Sequence, residues 1–430
     1  AEWWRYPDRY TGALCAPDKT DLGEYHPCTN TRVGGMNMSE LINNYQSGYS
    51  LGQSFYTDDD IYQKEIENIF LKNWIFVGHA SQIPEHGDFF LFEFDQESIV
   101  VTRTKTGEIN ALLNVCRHRG SHICLEKKGN AKSLICPYHA WSYNLDGKLL
   151  AARNMNDDFD KSANGLHRVH LELIGGLIFI TLAEKPLSLK SMQADLKDTF
   201  DLFGFDKMKL IKQNTYHIRA NWKLAVENYQ ECYHCMPSHR EYSEIHAAAL
   251  SPAKKNQHLE AYLKTKTNTV RTRSCDCYFD LANEGEEGYQ YSREPLLPGM
   301  KSGTAGGIAA SRLLGNITDY DGAASDLMIG PISFFLIYDD HMVGYRFMPL
   351  SIGKCVCDLF WFVHEAAEEG NDYDLKELTW LWDVTTQADE EIVANNQKGI
   401  NSHFYSPGKL SEMEGCQQHF VNWYLKVLKA

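Results

Sequence analysis

No run of this 430-residue chain is long and apolar enough to cross a bilayer: the longest clean apolar stretch, GGLIFITLA at residues 175–183, is about half of what a membrane-spanning helix needs. Positive charge is also in short supply. With 42 Lys and Arg against 57 Asp and Glu, the net charge of −15 argues against a nucleic-acid surface, which needs a basic stripe to displace counterions. Low-complexity tracts and repeats of solenoid length are missing. At 43% hydrophobic and 23% charged residues the composition is that of a globular protein rather than a disordered one. The sequence opens without a signal-peptide pattern, so its twelve cysteines are not expected to form a secreted disulfide framework, and a reducing cytoplasm fits better.

What is present falls into segments. Residues 1–38, rich in Gly, Pro, Asn and Thr, read as an extension outside the core. In 39–74, acidic residues open an amphipathic pattern from Asp58 to Trp74 (Ile61, Ile66, Ile69, Phe70), which predicts a helix with carboxylates at its positive end. Residues 75–183 change to short β-rich runs, DFFLFEF, ESIVVTRT and GLIFITL, with an Asp146-Gly147 hairpin signal, and predict an all-β domain. Residues 184–430 mix strands with helices: ISFFLIYDDHMVGYRFMPL reads as two strands around an Asp339-Asp340 turn, CVCDLFWFVHE as a third, and the segment from Asp374 as a long helix closing at Gly399. The fold class is therefore α+β, with an antiparallel sheet gripped by long helices after the all-β domain.

The chemistry begins at CRHRGSHICLEKKGNAKSLICPYHAW, residues 116–141. Cys116 and His118 form one pair, Cys136 and His139 another, and both residue types are metal ligands. Structural zinc sites usually pair like with like on each loop, so zinc fits poorly. A Rieske [2Fe–2S] centre gives two cysteines to one iron and two histidines to the other, so each of two loops must offer both. Gly120, Pro137 and Trp141 sit where such loops need a turn and a cover. Cys124 reads as a packed thiol, and the C-x-C pairs Cys275/Cys277 and Cys355/Cys357 read as strand or loop cysteines.

An electron relay needs a destination, and NWKLAVENYQECYHCMPSHREY, residues 221–242, offers one. Asn228, Glu231 and His234 are spaced by three, so a helix would align them. In a continuing helix His239 would point roughly 140° away from His234. Pro237 forbids continuation and predicts a turn just after His234, letting both imidazoles face one point. Two histidines and a carboxylate make the facial triad that leaves positions open on Fe(II). On the late helix Leu378, Trp382, Thr385, Ile392 and Val393 mark an inward stripe. Asp389 falls on it while Glu390 and Glu391 fall off, so Asp389 is the expected third ligand.

Together these residues resemble the oxygenase (alpha) component of the Rieske non-haem iron oxygenases, over roughly residues 39–430. The pattern C-x-H…C-x(2)-H followed by N-x(2)-[DE]-x(2)-H-x(4)-H is met by Cys116, His118, Cys136, His139, Asn228, Glu231, His234 and His239, and a D…Q-x-G pattern by Asp389, Gln397 and Gly399. Ala140 stands where many members have glycine. The resemblance implies a β-sheet Rieske domain joined to a helix-grip catalytic domain, and homotrimers in which the residue matching Glu231 passes electrons between chains. It also implies O2 as co-substrate and NAD(P)H electrons through a separate flavin/iron–sulfur reductase. Within the family ENYQECYHC, YDGAASDLMIGP and LTWLWDVTTQADEEIVANNQKGINSHFYSPG look most similar to the glycine betaine monooxygenase branch, near enzymes for choline, carnitine and proline betaine. That implies oxidative N-demethylation.

A quaternary ammonium has no N–H, so aromatic faces must recognise it, each contributing about 0.5–2 kcal/mol. Tyr229, Tyr233, Phe334, Phe335, Tyr338, Phe360, Trp361 and Phe362 are the candidates. Strand alternation puts Phe334 and Tyr338 on one face and Phe335 on the other, so one set alone can see the iron. Two other readings compete: an oxygenase of the same family for aromatic acids, whose pocket would lack a cation cage, and a redox or ligand-sensing protein that keeps the cluster without mononuclear iron.

Overall fold

The computed structural model describes residues 38–266, 269–276 and 285–429; the expectations for the first 37 residues and for Cys277 lie outside the described residues. A seven-stranded sheet has the order β1-β10-β9-β4-β3-β2-β5. Its strands are β1 (Ile75–His79), β2 (Asp88–Phe94), β3 (Glu97–Arg103), β4 (Ile109–Leu113), β5 (Lys128–Asn130), β9 (Arg168–Ile174) and β10 (Leu177–Thr181). Between β5 and β9 lies a small sheet of β6 (Leu134–Ile135), β7 (Ser142–Tyr143) and β8 (Leu149–Ala151). The second seven-stranded sheet, β11-β17-β16-β15-β14-β13-β12, uses β11 (Met208–Ile218), β12 (Cys275–Asp276), β13 (Tyr289–Pro295), β14 (Ala323–Ile329), β15 (Ser333–Ile337), β16 (His341–Ser351) and β17 (Lys354–His364). The three sheets are built from antiparallel pairs, and the expected hairpin around Asp339-Asp340 joins β15 to β16.

Alternation along the second sheet sorts its aromatics into two cores. Phe335, Phe360 and Phe362 join Phe76 and Phe179 of the first sheet in one cluster, with Phe76 4.8 Å from Phe360 and 5.1 Å from Phe335 between ring centroids. Phe334, Tyr338, Tyr345 and Trp361 face the other way, in a cluster that also holds Leu378 and Trp382 of the Leu375–Ile400 helix. That helix starts on the Asp374 carboxylate, which accepts from the amides of Lys376 and Glu377. It runs through Gly399 to Ile400, so the glycine does not end it.

The first helix is shorter than the pattern predicts. Asp58 caps Asp59–Glu65, and a π turn over Ile66–Phe70 ends it. Trp74 is drawn away instead: its amide donates to Glu287 Oε2 at 2.9 Å and its indole to the Leu187 carbonyl at 2.7 Å. Glu65 is fully buried and bonds the Lys223 ammonium at 2.5 Å and the Trp222 indole at 2.7 Å. Charges without water persist only when paired and hydrogen-bonded. The pair locks the Trp222–Tyr229 helix against residues 59–65 and against Tyr424, whose hydroxyl also donates to Glu65.

Candidate metal centres and substrate pocket

The two Cys/His loops have the same local build. In the first, the Gly120 amide donates to the Cys116 carbonyl (2.9 Å) and the Cys116 amide to Ser121 (2.9 Å); in the second, Ala140 donates to Cys136 (3.0 Å) and Cys136 to Trp141 (2.8 Å). Both turns need a left-handed residue four positions after the cysteine, and Gly120 and Ala140 sit at φ 77° and 57°. For alanine that conformation costs about 1–2 kcal/mol, which is the physical meaning of the departure at Ala140. Cys116 and Cys136 are buried while His118 and His139 are exposed, with their Nδ1 atoms 3.1 Å apart. Trp141 covers His118 in a parallel stack at 4.8 Å. Two buried thiols and two convergent, solvent-facing imidazoles fit a [2Fe–2S] group held by all four. Cys124 is a packed thiol, pushed up to about 11 by burial, and Cys355 and Cys357 are buried in β17.

Tyr143 adds to this centre. Its hydroxyl oxygen accepts from the Arg117 amide at 3.1 Å, which leaves its own proton to donate to Cys116 Sγ at 3.3 Å. Burial, then the bond to Cys116, pushes the phenol well above its ordinary range. A hydrogen bond to a ligand sulfur favours the more negative, reduced cluster. If it is worth about 1–1.5 kcal/mol, Tyr143→Phe will lower the one-electron midpoint potential by roughly 40–65 mV. An unchanged potential in a redox titration followed by electron paramagnetic resonance would show that the bond does not reach the cluster.

The second centre is built where a helix gives out. Trp222–Tyr229 ends at Tyr229, before Glu231, so Asn228, Glu231 and His234 do not share one helix as their spacing predicts. The turn also precedes His234 rather than following it. Pro237 sits inside the next single turn, Cys235–Ser238, where its missing N–H leaves no intrahelical bond unmade. The Glu231 carboxylate organises the break, accepting from the Tyr233 and His234 amides through Oε2 and holding His234 Nδ1 through Oε1 at 2.6 Å.

His234 Nε2 and His239 Nε2 then meet Asp389 Oδ1 at 3.3 and 2.8 Å, and the ligand atoms of the three residues lie within 4.8 Å of one another. Burial opposes charge on His234, yet the hydrogen bonds it donates to Asp389 and Glu231 outweigh it and lift the imidazole to about 9. Burial pushes the Asp389 carboxyl up, and the two histidines hold it below its ordinary value all the same. Two imidazoles and a carboxylate sharing protons at one point are a donor set that fits Fe(II), which would take the place of those protons. On the Asp389 helix the buried stripe includes Leu381 and Thr386, whereas Ile392 is half-buried. Gln397 accepts from the Asn221 amide at 2.8 Å, tying this helix to the cap of the helix that leads to Glu231.

Above the triad lies a cavity of about 510 Å³, a size suited to a small ligand. Tyr229, Tyr242, Phe334, Tyr345, Trp382 and Asp326 are among its walls. Of the sequence candidates, Tyr229 and Phe334 line it, with rings 4.3 Å apart. Tyr338 turns its hydroxyl to His246 Nε2, Tyr233 is exposed, and the remaining four belong to the cores. Tyr242, Tyr345 and Asp326 escaped the sequence reading. Tyr345 has the strand parity of Phe347 and pairs with Phe334, and Asp326 is the one charged residue in AASDLMI of β14; both signals were available. Asp326 is exposed on the cavity wall, and desolvation by that enclosing wall, then Glu294, pushes its carboxyl up to about 7, with Lys255 opposing. Lys255 itself pairs with Glu294 at 2.8 Å.

A second missed feature is the C-x-x-C within ECYHC: Cys232 and Cys235 form a disulfide with Cα atoms 4.9 Å apart. Such a short ring adds about 2 kcal/mol on the chain-entropy account, against roughly 4.7 for a 100-residue loop.

Comparison with known proteins bears on the domains and the fold. Residues 73–167 match the Rieske [2Fe-2S] domain and residues 205–430 the catalytic domain of the ring hydroxylating alpha subunits. The glycine betaine monooxygenase oxygenase subunit of Chromohalobacter salexigens is 34% identical over 396 residues, covering 90% of this chain and 87% of that protein. The carnitine monooxygenase oxygenase subunit of Escherichia coli is 38% identical over 206 residues, 47% of this chain and 55% of that one. Among solved structures, a quaternary ammonium Rieske monooxygenase, described for carnitine oxidation and inter-subunit electron transfer, superposes with a TM-score of 0.69 at 21% identity, covering 90% of this chain and 97% of that chain.

Proposed function

The chain belongs to the ring-hydroxylating alpha-subunit family, with its Rieske and catalytic domains, and on that premise we propose that it is the oxygenase subunit of an enzyme that N-demethylates a quaternary ammonium, glycine betaine first among the candidates, to dimethylglycine and formaldehyde. In this reading residues 75–183 are the Rieske domain, 184–430 the catalytic domain and 39–74 a helical segment packed on the latter. Cys116, His118, Cys136 and His139 hold the cluster, and His234, His239 and Asp389 hold Fe(II). The subunit works as a homotrimer in the cytoplasm, with NAD(P)H electrons arriving through a separate flavin/iron–sulfur reductase. When bound, the two metal groups supply electrons one at a time and activate O2, so that an N-methyl carbon is hydroxylated and the hemiaminal collapses to formaldehyde and a tertiary amine.

The observation that carries the substrate class is the pocket wall. Tyr229, Tyr242, Phe334, Tyr345 and Trp382 line a cavity that also holds the triad, and the Asp326 carboxylate lines it as well. A methylated cation satisfies both at once: the rings bind its charge without an N–H donor, and its approach favours ionised Asp326. The walls exclude water from the methyl groups and orient one of them toward the triad. An aromatic acid brings stacking contact for its ring but no cation to satisfy Asp326 or to draw a cation–π term from these rings.

The test is formaldehyde release from glycine betaine, choline, carnitine, proline betaine and benzoate-type acids under saturating reductase. Turnover should be confined to the quaternary ammonium compounds and highest with glycine betaine. Hydroxylation of the aromatic acids without formaldehyde would replace this reading by the competing oxygenase.

A further inference from the structure

We propose that Cys232 and Cys235 are a reversible thiol–disulfide site that sets how tightly the adjacent triad holds its metal. The inference rests on the reading of His234, His239 and Asp389 as the iron ligands. Its starting point is position: the bridge encloses Tyr233 and His234 alone, so the ring it closes contains one of the three triad residues. Immediately before the ring stands Glu231, whose two oxygens bind the backbone amides of those same two residues and the His234 imidazole.

The bridge is poorly suited to be a structural staple. It crosses two residues in a protein with extensive buried cores, whereas the stabilising value of a disulfide grows with the loop it closes. C-x-x-C is instead the spacing of exchange-active pairs. Access differs between the sulfurs as exchange requires: both residues line the cavity, but Cys232 is partly exposed while Cys235 is buried. A thiolate entering the cavity can therefore attack Cys232 Sγ and expel Cys235 as thiolate. The second thiol of the attacking dithiol resolves the mixed disulfide. The net reaction transfers two electrons and two protons: one dithiol becomes a disulfide, and the protein disulfide becomes two thiols.

Opening the ring has a defined consequence. While closed, it fixes the backbone of Tyr233 and His234 so that both amides point at Glu231 Oε2, which leaves Oε1 aimed at His234 Nδ1, 2.6 Å away. On the far side the loop stays anchored through the Cys235 carbonyl, which accepts from the His239 amide at 2.8 Å and the Ser243 hydroxyl at 3.0 Å. Reduction thus loosens the Glu231 and His234 side while leaving His239 in place. Loss of an outer partner of a metal histidine weakens metal binding by about 10–100-fold, so the dithiol form should bind the metal about tenfold more weakly.

The experiment uses full-length protein with its cluster intact and its mononuclear site emptied by a chelator. One portion is equilibrated with glutathione disulfide and another with dithiothreitol, and both are desalted anaerobically. Alkylation with N-ethylmaleimide followed by peptide mass analysis reports Cys232 and Cys235, and titration with Co(II) reports the triad. The expected result is blocked cysteines with tight Co(II) binding after oxidation, and two alkylated cysteines with about tenfold weaker binding after reduction. A Cys232→Ser, Cys235→Ser protein should bind as the reduced form does and respond to neither treatment. The proposal is overturned if the cysteines alkylate equally in both portions, or if the bridge opens and closes while Co(II) affinity stays constant. Absence of Co(II) binding in every state would instead overturn the metal-site reading on which it rests.

Discussion

Asp389→Ala should abolish turnover and mononuclear iron while the visible spectrum of the cluster persists. Asp389 Oδ1 is the shared partner of both imidazole Nε2 atoms, at 3.3 and 2.8 Å, so its removal takes away the single carboxylate of the donor set. The loss should exceed the roughly 10–100-fold that removing an outer partner costs. The cluster survives because its four candidate ligands lie between Cys116 and His139, on loops bordered by β4 to β7, and the described contacts of Asp389 do not include them. Folding should survive too: Asp389 is partly exposed to the cavity and its helix is anchored by Leu378, Leu381 and Trp382. Iron content and formaldehyde release measured on the same preparation check the expectation. Full activity in the variant would mean that the third ligand lies elsewhere.

The second large effect is expected between chains. His118 and His139 are exposed on one chain, while Glu231 reaches His234 of its own triad. In the proposed trimer a neighbour's cluster serves this iron through Glu231. A His234→Ala chain keeps a cluster without catalytic iron, and a Cys116→Ser chain keeps the iron without a cluster. Each alone should be inactive. Co-expressed, they form some interfaces with an intact cluster beside an intact iron, and partial turnover should return. Adding Glu231→Gln to the Cys116→Ser chain should suppress the recovery, since a neutral amide no longer holds His234 by a charge-assisted bond. Mixed trimers shown to assemble yet remaining inactive would place electron transfer within one chain and end the bridging role of Glu231.

Much of this was legible before any coordinates because ligand chemistry constrains residue type and local spacing. Cys116, His118, Cys136 and His139 had to come as two mixed pairs, and the turn each loop makes is visible in Gly120 and Trp141. Asp389 was singled out by helical parity together with the upstream relay and the histidine pair, since a carboxylate on an inward stripe beside them demands a partner. Strand alternation divided Phe334 from Phe335 correctly. The same local logic failed where another segment overrode it. Spacing by three suggested that Asn228, Glu231 and His234 share a helix, but the Glu231 carboxylate captures the amides of Tyr233 and His234 and the helix ends two residues before it. Trp74 left its helix for Glu287 and Leu187, more than a hundred residues away.

The sequence by itself therefore determined the two candidate ligand sets, the family and the alternation of the sheets, because each rests on residue identity and a period of a few residues. Only the tertiary structure decided which aromatic rings wall the cavity and that Asp326 stands among them. Those facts depend on the β13 to β16 surface meeting the Trp222–Tyr229 and Leu375–Ile400 helices. Such meetings are set by long-range packing, which fixes direction and distance between segments that no local period relates.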